Sequence, residues 1–246
     1  YQFSGSINSA EVLAQLVSGK VLEYQFTVPE GLRYKDFVTL LSQHPAMQGK
    51  PIPEANQWLT SMHSRWQHPE GLLFPSTYRF ARHNLPLDII KQAHLKQVQI
   101  LQSAWAERAE DLPYDTPYEA LIMASIIEKE TGLANERAII AGVFVRRLQK
   151  GMKLQTDPTV IYGMGADFKG NIRRSDLTTD TPYNTYVHRG LPPTPIALPG
   201  RAAIHAALHP ADGLSLFFVA KGDGSHEFAD TYPQHQINVR KYQLKN

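Results

Sequence analysis

A run of apolar residues that ends in carboxylates is the part of this chain best suited to chemistry. Residues 121–131 read Leu-Ile-Met-Ala-Ser-Ile-Ile-Glu-Lys-Glu-Thr. An ionised carboxylate is costly to take out of water. An acid emerging from so apolar a segment is therefore a candidate for a raised pKa and for proton donation. Glu128 and Glu130 are two residues apart, about 200° around a helix, so they cannot form a close carboxylate pair. Periodicity does not choose between them. Glu130 continues the line of Met123 and Ile127, and Glu128 that of Leu121 and Ala124/Ser125. The plain alternative is a solvated helix end, where most charged helix residues lie.

About two dozen residues further on comes Leu154-Gln-Thr-Asp-Pro-Thr-Val-Ile-Tyr-Gly-Met-Gly165. Gln155, Thr156, Asp157 and Tyr162 supply an amide, a hydroxyl, a carboxylate and a ring, the groups a carbohydrate subsite uses. The competing reading is a turn, since Asp-Pro starts turns and Gly163 and Gly165 would end a strand. A third patch is Tyr183-Asn184-Thr-Tyr186, followed by Gly190-Leu-Pro-Pro-Thr-Pro-Ile196 and Pro199-Gly200. Pro192, Pro193, Pro195 and Pro199 stiffen a loop that suits either a structural turn or a groove wall. Other chemistries find little support. The chain has no cysteine, which removes disulfides, thiolate metal sites and cysteine nucleophiles. There is no His-Glu-x-x-His zinc helix, no Gly-x-Ser-x-Gly, and no glycine loop for a dinucleotide.

The elements that must position these groups follow from composition and periodicity. The 246 residues are 42% hydrophobic and 20% charged, a globular composition rather than a disordered one. A net charge of +2, with no basic cluster beyond Arg146-Arg147 or Arg173-Arg174, gives no support for nucleic-acid binding. No apolar stretch reaches the roughly 18 residues of a membrane span. The chain begins at Tyr1 without an initiator Met, as a piece cut from something longer would. Tyr1–Phe3 is strand-like; Ser9 is placed to cap a helix over 10–18 that Gly19 stops. Leu22, Tyr24, Phe26 and Val28 alternate as in a strand. Pro29-Glu-Gly31 then turns into a helix over 33–43, with Leu32, Phe37, Leu40 and Leu41 inward. Residues 44–54 look like a loop, and Glu70–Phe80 is a turn followed by a strand. Long helices are expected over about 86–109, 115–131 and 134–150. Asp88, Ile89, Ile90, Ala93, Leu95, Val98 and Leu101 keep near-helical spacing in the first. Loops and short strands follow Gly151. A last strand spans 214–220, before a turn at Gly222-Asp-Gly224.

Together these segments resemble the MltG (YceG-like) endolytic murein transglycosylases. The resemblance rests on Ala124-Ser-Ile-Ile-Glu-Lys-Glu-Thr131, Leu154-Gln-Thr-Asp-Pro-Thr-Val-Ile-Tyr-Gly163, Tyr183-Asn-Thr-Tyr186 and Gly190-Leu-Pro-Pro193. It extends over nearly the whole chain, through Pro29-Glu-Gly31, Glu70–Tyr78, His209-Pro-Ala211 and Phe217–Ala220. Thr194 stands where family members often have glycine. The resemblance implies an α+β fold: a small LysM-like βααβ subdomain over 23–83, a larger mixed α+β catalytic domain over 84–246, and 1–22 as the remnant of an N-terminal module. It also implies a bacterial inner-membrane protein with an outward-facing, periplasmic catalytic region, whose single-span anchor is absent from this chain. Peptidoglycan glycan strands are the implied partner and peptidoglycan synthases a candidate one, and no metal or cofactor is called for.

The implied activity is cleavage of the β-1,4 bond from N-acetylmuramic acid to N-acetylglucosamine, leaving 1,6-anhydro ends. Lytic transglycosylases place their acid immediately before a Ser or Thr, and only Glu130, followed by Thr131, fits. The resemblance thus makes Glu130 the catalytic acid, with Thr131 and Glu128 as supporting residues. Gln155, Thr156, Asp157, Tyr162, Tyr183, Asn184 and Tyr186 are the candidates to hold the sugars. Two rival readings stand beside this one. One is a lysozyme-type hydrolase with Asp157 as second carboxylate; the other is a wall-binding module without catalysis.

Overall fold

The structure, a computed structural model, describes residues 8–17 and 22–244. The strand expected at Tyr1–Phe3 and the stop at Gly19 lie outside them. The first helix, α1 (Ser9–Val17), is capped by Asn8 rather than Ser9. Asn8 Oδ1 accepts from the Glu11 N–H at 2.9 Å, and Glu11 Oε2 accepts from the Asn8 N–H at 2.9 Å. This reciprocal pair satisfies two amides that a helix start otherwise leaves open.

Next comes a β-α-α-β unit. β1 (Glu23–Thr27) pairs antiparallel with β2 (Thr77–Ala81), and α2 (Tyr34–Gln43) and α3 (Ala55–Ser61) lie between them in sequence. Phe26, Phe37, Leu41, Trp58, Leu72 and Phe80 fill its core. Leu40, expected inward, is exposed, because Phe37 and Leu41 already span the buried stripe of so short a helix.

The larger part is mostly helical. α4 (Pro86–Ala106) starts with Pro86 in its first turn and Asp88 accepting from the Leu85 N–H at 2.8 Å. Its inner face runs Ile89, Ile90, Ala93, His94, Gln97, Ile100 and Leu101, an i, i+3, i+4, i+7 line. Leu95 falls outside that line and is exposed. α5 (Pro117–Glu130) opens with a Thr116/Glu119 capping box. Its residues 120–127 are buried without interruption, since α4, α6 (Arg137–Gln149) and α8 (Arg201–Leu208) enclose it. A helix buried on every side shows no amphipathic stripe, and the unbroken apolar run of its sequence is the reason.

Residues 157–164 form a helix, α7 (Asp157–Met164), rather than the alternative turn and strand. Thr156-Asp157-Pro158 is a helix start, with the proline where a missing N–H costs nothing. β3 (Phe217–Ala220) and β4 (His226–Ala229) form a second antiparallel hairpin about Gly222-Asp-Gly224, and α9 (Tyr232–Tyr242) packs on it. The architecture is mixed α+β, two small two-stranded antiparallel sheets set on a helical body.

The β-α-α-β unit is joined to the body through main-chain bonds. The Gly31 N–H donates to Leu198 O at 2.9 Å, and the Leu198 N–H to Leu32 O at 2.7 Å. Close approach is required at Gly71, whose φ is +77° and whose missing Cβ would stand 2.5 Å from Pro195. Gly49 has almost the same φ, +75°, with nothing within 4 Å. Gly71→Ala should therefore lower stability by roughly 2–4 kcal/mol, combining left-handed backbone strain with overlap. Gly49→Ala should lose only the strain, about 1–2 kcal/mol. Urea unfolding of both variants checks this, and equal losses would show that the Pro195 contact is slack.

Candidate active site

Glu130 is the last residue of α5, and its carboxyl lies in a cleft of about 470 Å³. The helix brings it there rigidly, because everything from Ala120 to Ile127 is locked in the core. Burial pushes the carboxyl up to about 7. The Thr156 hydroxyl donates to Oε2 at 2.7 Å and pulls the other way, as do the Arg147 charge and His226 whenever its ring is protonated, while Asp157 adds to the rise. The C-terminal end of a helix carries partial negative charge, which also disfavours ionisation there. No ion pair among the described residues involves Glu130. The result is a carboxyl held close to half-protonated at neutral pH, as a general acid requires.

Arg147 of α6 ties three segments of the cleft wall together. Its Nε donates to Leu216 O at 2.6 Å, and Nη1 to Leu154 O at 2.8 Å and Lys153 O at 3.2 Å. Its guanidinium carbon lies 5.1 Å from the Phe217 ring centre. Burial draws its pKa down, and Tyr186 and Glu130 oppose that. Opposite, Gln155 and Asp157 lead into α7, and the Tyr186 hydroxyl donates to Asp157 Oδ1 at 2.6 Å. Gln155 has φ +52°, an uncommon left-handed value for a non-glycine residue and a mark of local strain at this wall. Phe217, Phe218, Tyr232 and His235 complete the apolar side.

Of the residues singled out from sequence, the cleft gathers Glu130, Gln155, Asp157 and Tyr186, with Thr156 bonded to the acid from beneath. Others stand elsewhere. The Tyr162 hydroxyl donates to Glu70 Oε2 at 3.1 Å in a separate pocket of about 330 Å³ that Arg33, Tyr34 and His68 also line. Tyr183 packs on Tyr162, and its hydroxyl lies 2.9 Å from Thr194 Oγ1. Asn184 is buried and braces its own loop: Nδ2 donates to Thr179 O and Asp176 O, and Oδ1 accepts from the Tyr186 N–H. Thr131 Oγ1 accepts from the Leu133 N–H rather than meeting Glu130. Glu128 faces away from the cleft and accepts from the Gly200 N–H at 2.9 Å. Burial raises its pKa too, with Glu30 adding, so neither glutamate is a solvated helix end. The proline-rich loop is a groove wall, yet of another groove, where Leu191, Pro192 and Pro193 face Pro113 and Tyr118.

Sequence reasoning missed Arg147, His226 and Glu136. Arg147 had a signal of the same kind as Glu130, a charge inside the apolar run Ile139–Leu148. His226 had none, because its partner Glu136 is 90 residues away in sequence. The chain also carries one His-x-x-x-His pair, His205 and His209 in α8. Their rings stack at 4.3 Å, and His209 Nε2 meets Glu107 O at 2.8 Å.

The sequence profile of the YceG-like family matches residues 1–241. A Bacillus subtilis protein named endolytic murein transglycosylase is 34% identical over 245 residues, 98% of this chain and 66% of the relative. A Streptococcus pneumoniae protein of the same name is 30% identical over 179 residues, 70% of this chain and 32% of the relative. The chain thus spans 66% of one relative's length and about a third of the other's. The crystal structure of a yceG-like protein from Listeria monocytogenes superposes with a TM-score of 0.72 at 28% identity, covering 94% of this chain and 81% of that one. A profile match over nearly every residue, a fold shared along the same length, and a carboxyl-bearing cleft built from the matched motifs lead to one assignment: the chain belongs to the YceG-like family.

Proposed function

We propose that this chain is the catalytic part of a lytic transglycosylase that cuts peptidoglycan strands between N-acetylmuramic acid and N-acetylglucosamine without water. The observation that carries the reading is Glu130, one carboxyl raised to about 7 in an open cleft and free of any ion pair among the described residues. The names of the two relatives support the substrate and the reaction type. The endolytic mode, a site outside the cytoplasmic membrane and an association with peptidoglycan synthases extend the same proposal. The β1-α2-α3-β2 unit is, on this reading, the LysM-like subdomain.

One acid suffices when the nucleophile belongs to the substrate. Protonated Glu130 donates to the glycosidic oxygen, and the bond from that oxygen to the muramic anomeric carbon breaks. The 2-acetamido group is placed to assist. The muramic 6-hydroxyl then attacks its own anomeric carbon, closing the 1,6-anhydro ring, and its proton restores Glu130. Attack within one sugar gains from proximity and needs no activated water. Ordinary glycosidases instead require two carboxyls at a set separation. Asp157 favours the hydrolytic rival to the extent that it shares the cleft. Its Oδ1 is, however, engaged by the Tyr186 hydroxyl.

Glu130→Gln should reduce release of anhydro-ended fragments by about 10²–10⁴-fold, the usual contribution of a general acid–base. Mass spectrometry of digested, uncrosslinked glycan distinguishes anhydro ends from hydrolysed ones by one water. Asp157→Asn should still yield anhydro ends, whereas a lysozyme-type enzyme would lose its chemistry. Activity should decline as pH rises through about 7, where the acid ionises.

The same carboxyl sets a stability test. Its folded-state pKa, about 7, exceeds the ordinary value of 4.5, so the folded state holds the proton more tightly. Stability from this group is complete below about pH 4.5 and is lost as pH rises to about 7, by about 3 kcal/mol. Gln cannot ionise and keeps the Thr156 bond. Glu130→Gln should therefore gain up to about 3 kcal/mol on the wild type between pH 4.5 and pH 8. Denaturant unfolding at the two pH values reads it directly.

A further inference from the structure

The cleft holds a second proton-handling pair that the reaction above leaves unused. His226, the first residue of β4, lines the cleft with Glu130. Its Nδ1 lies 2.7 Å from Glu136 Oε2, and its main-chain N–H donates to Glu136 Oε1 at 3.0 Å. Both side chains are nearly buried, at 10% and 8% exposure. A carboxylate only accepts, so Nδ1 is the donor, and in the neutral form of the ring Nε2 is the nitrogen without a proton. Nε2 has no hydrogen-bond partner among the described residues. Phe218 packs edge-on against the ring at 5.3 Å and prevents it from turning. A buried carboxylate fixing the tautomer of a histidine that lines a cleft is how a general base is held ready.

Glu130, meanwhile, has one free oxygen. Oε2 accepts from Thr156, so Oε1 alone would have to serve the leaving oxygen and the 6-hydroxyl, which occupy different positions around the anomeric carbon. We propose that His226 is a catalytic residue, the base that receives the 6-hydroxyl proton and returns it to Glu130. This rests on the transglycosylase reading given above. As the bond from O6 to the anomeric carbon forms, the O6–H bond breaks and Nε2 takes the proton. The imidazolium, stabilised by Glu136, then gives that proton to the Glu130 carboxylate. The acid is restored, and nothing is gained or lost but the two sugar ends. The charged groups facing this exchange are Glu136 from the start of α6 and Glu130 from the end of α5. Arg147 of α6 and Asp157 of α7 act on the same Glu130 carboxyl.

The test uses the whole chain acting on uncrosslinked glycan, with product mass and kcat followed across pH. His226→Asn keeps an N–H donor for Glu136 near the position of Nδ1 and removes Nε2 with the rest of the ring, so a thermal melt is run beside the kinetics to read the packing lost against Phe218. Its kcat should fall about 100-fold, with KM within about threefold and anhydro ends still the product. Imidazole in the buffer should restore part of the rate to His226→Ala. Glu136→Gln removes the charge that favours the imidazolium, so the acidic limb of the kcat profile should move to lower pH. A His226→Asn enzyme within twofold of wild-type kcat overturns the proposal. So does a limb unmoved in Glu136→Gln, which would leave the pair a structural brace. Wild-type products without anhydro ends would instead refute the transglycosylase reading itself, whatever the histidine variants do.

Discussion

The site depends on one constraint, the removal of the Glu130 carboxyl from water at the tip of a helix that cannot move. α5 is buried from Ala120 to Ile127, so its last turn has no freedom to carry the acid out toward solvent. The carboxyl has one hydroxyl donor and the unfavourable end of the helix dipole. In a low-dielectric setting an ion pair would have pulled the acid well below neutrality. The nearest cation avoids this by its bonding. Arg147 directs its guanidinium at main-chain oxygens of Lys153, Leu154 and Leu216, so its charge reaches Glu130 only through space.

That same bonding makes the cleft a cleft. A guanidinium offers five N–H groups in a rigid plane, and here they join three segments distant in sequence: α6, the strand of chain entering α7, and the approach to β3. Carbonyl oxygens satisfy it without a carboxylate, which avoids introducing a second buried acid next to Glu130. The β3-β4 hairpin gains further anchorage from Glu136, which grips His226, and from Phe144 against Phe218. One wall of the site is therefore fastened by polar contacts at its base and by ring packing above them.

How much of this was readable in advance divides along physical lines. Helices α4, α5 and α6 were legible because periodicity and unbroken apolar runs are local signals; that run also marked the pair Glu128 and Glu130 at its end, but the choice of Glu130 came only from the family resemblance and the Thr131 that follows it. Gln155 and Asp157 reached the cleft as their polarity suggested. Tyr162 did not, since α7 is a helix: five residues at 100° each carry it some 140° around the axis from Asp157, toward Glu70. Asn184 was misread for a different reason. A buried amide that closes a loop has the same local sequence as one that binds a ligand. β4 and α9 escaped notice because four residues are too few to show alternation, and α9 has no buried face. The His226–Glu136 pair is a product of tertiary folding, beyond any reading of local spacing.

The placement of Thr156 shows how the two parts of the chain cooperate. α7 is eight residues long, about 12 Å by the helical rise. At its N-terminal end Thr156 holds the Glu130 carboxyl; near its C-terminal end Tyr162 donates to Glu70 of the β-α-α-β unit. Glu70 also accepts from the Tyr34 N–H at 2.8 Å, which locks it to the start of α2. Burial raises Glu70 to about 7, just as it raises Glu130. Two acids with similar titration thus stand at opposite ends of one short strut, and only one of them opens on the large cleft. A shifted pKa is then a consequence of burial at either end. What separates a proton donor from a structural clasp is whether the remaining oxygen meets a space that a sugar can enter.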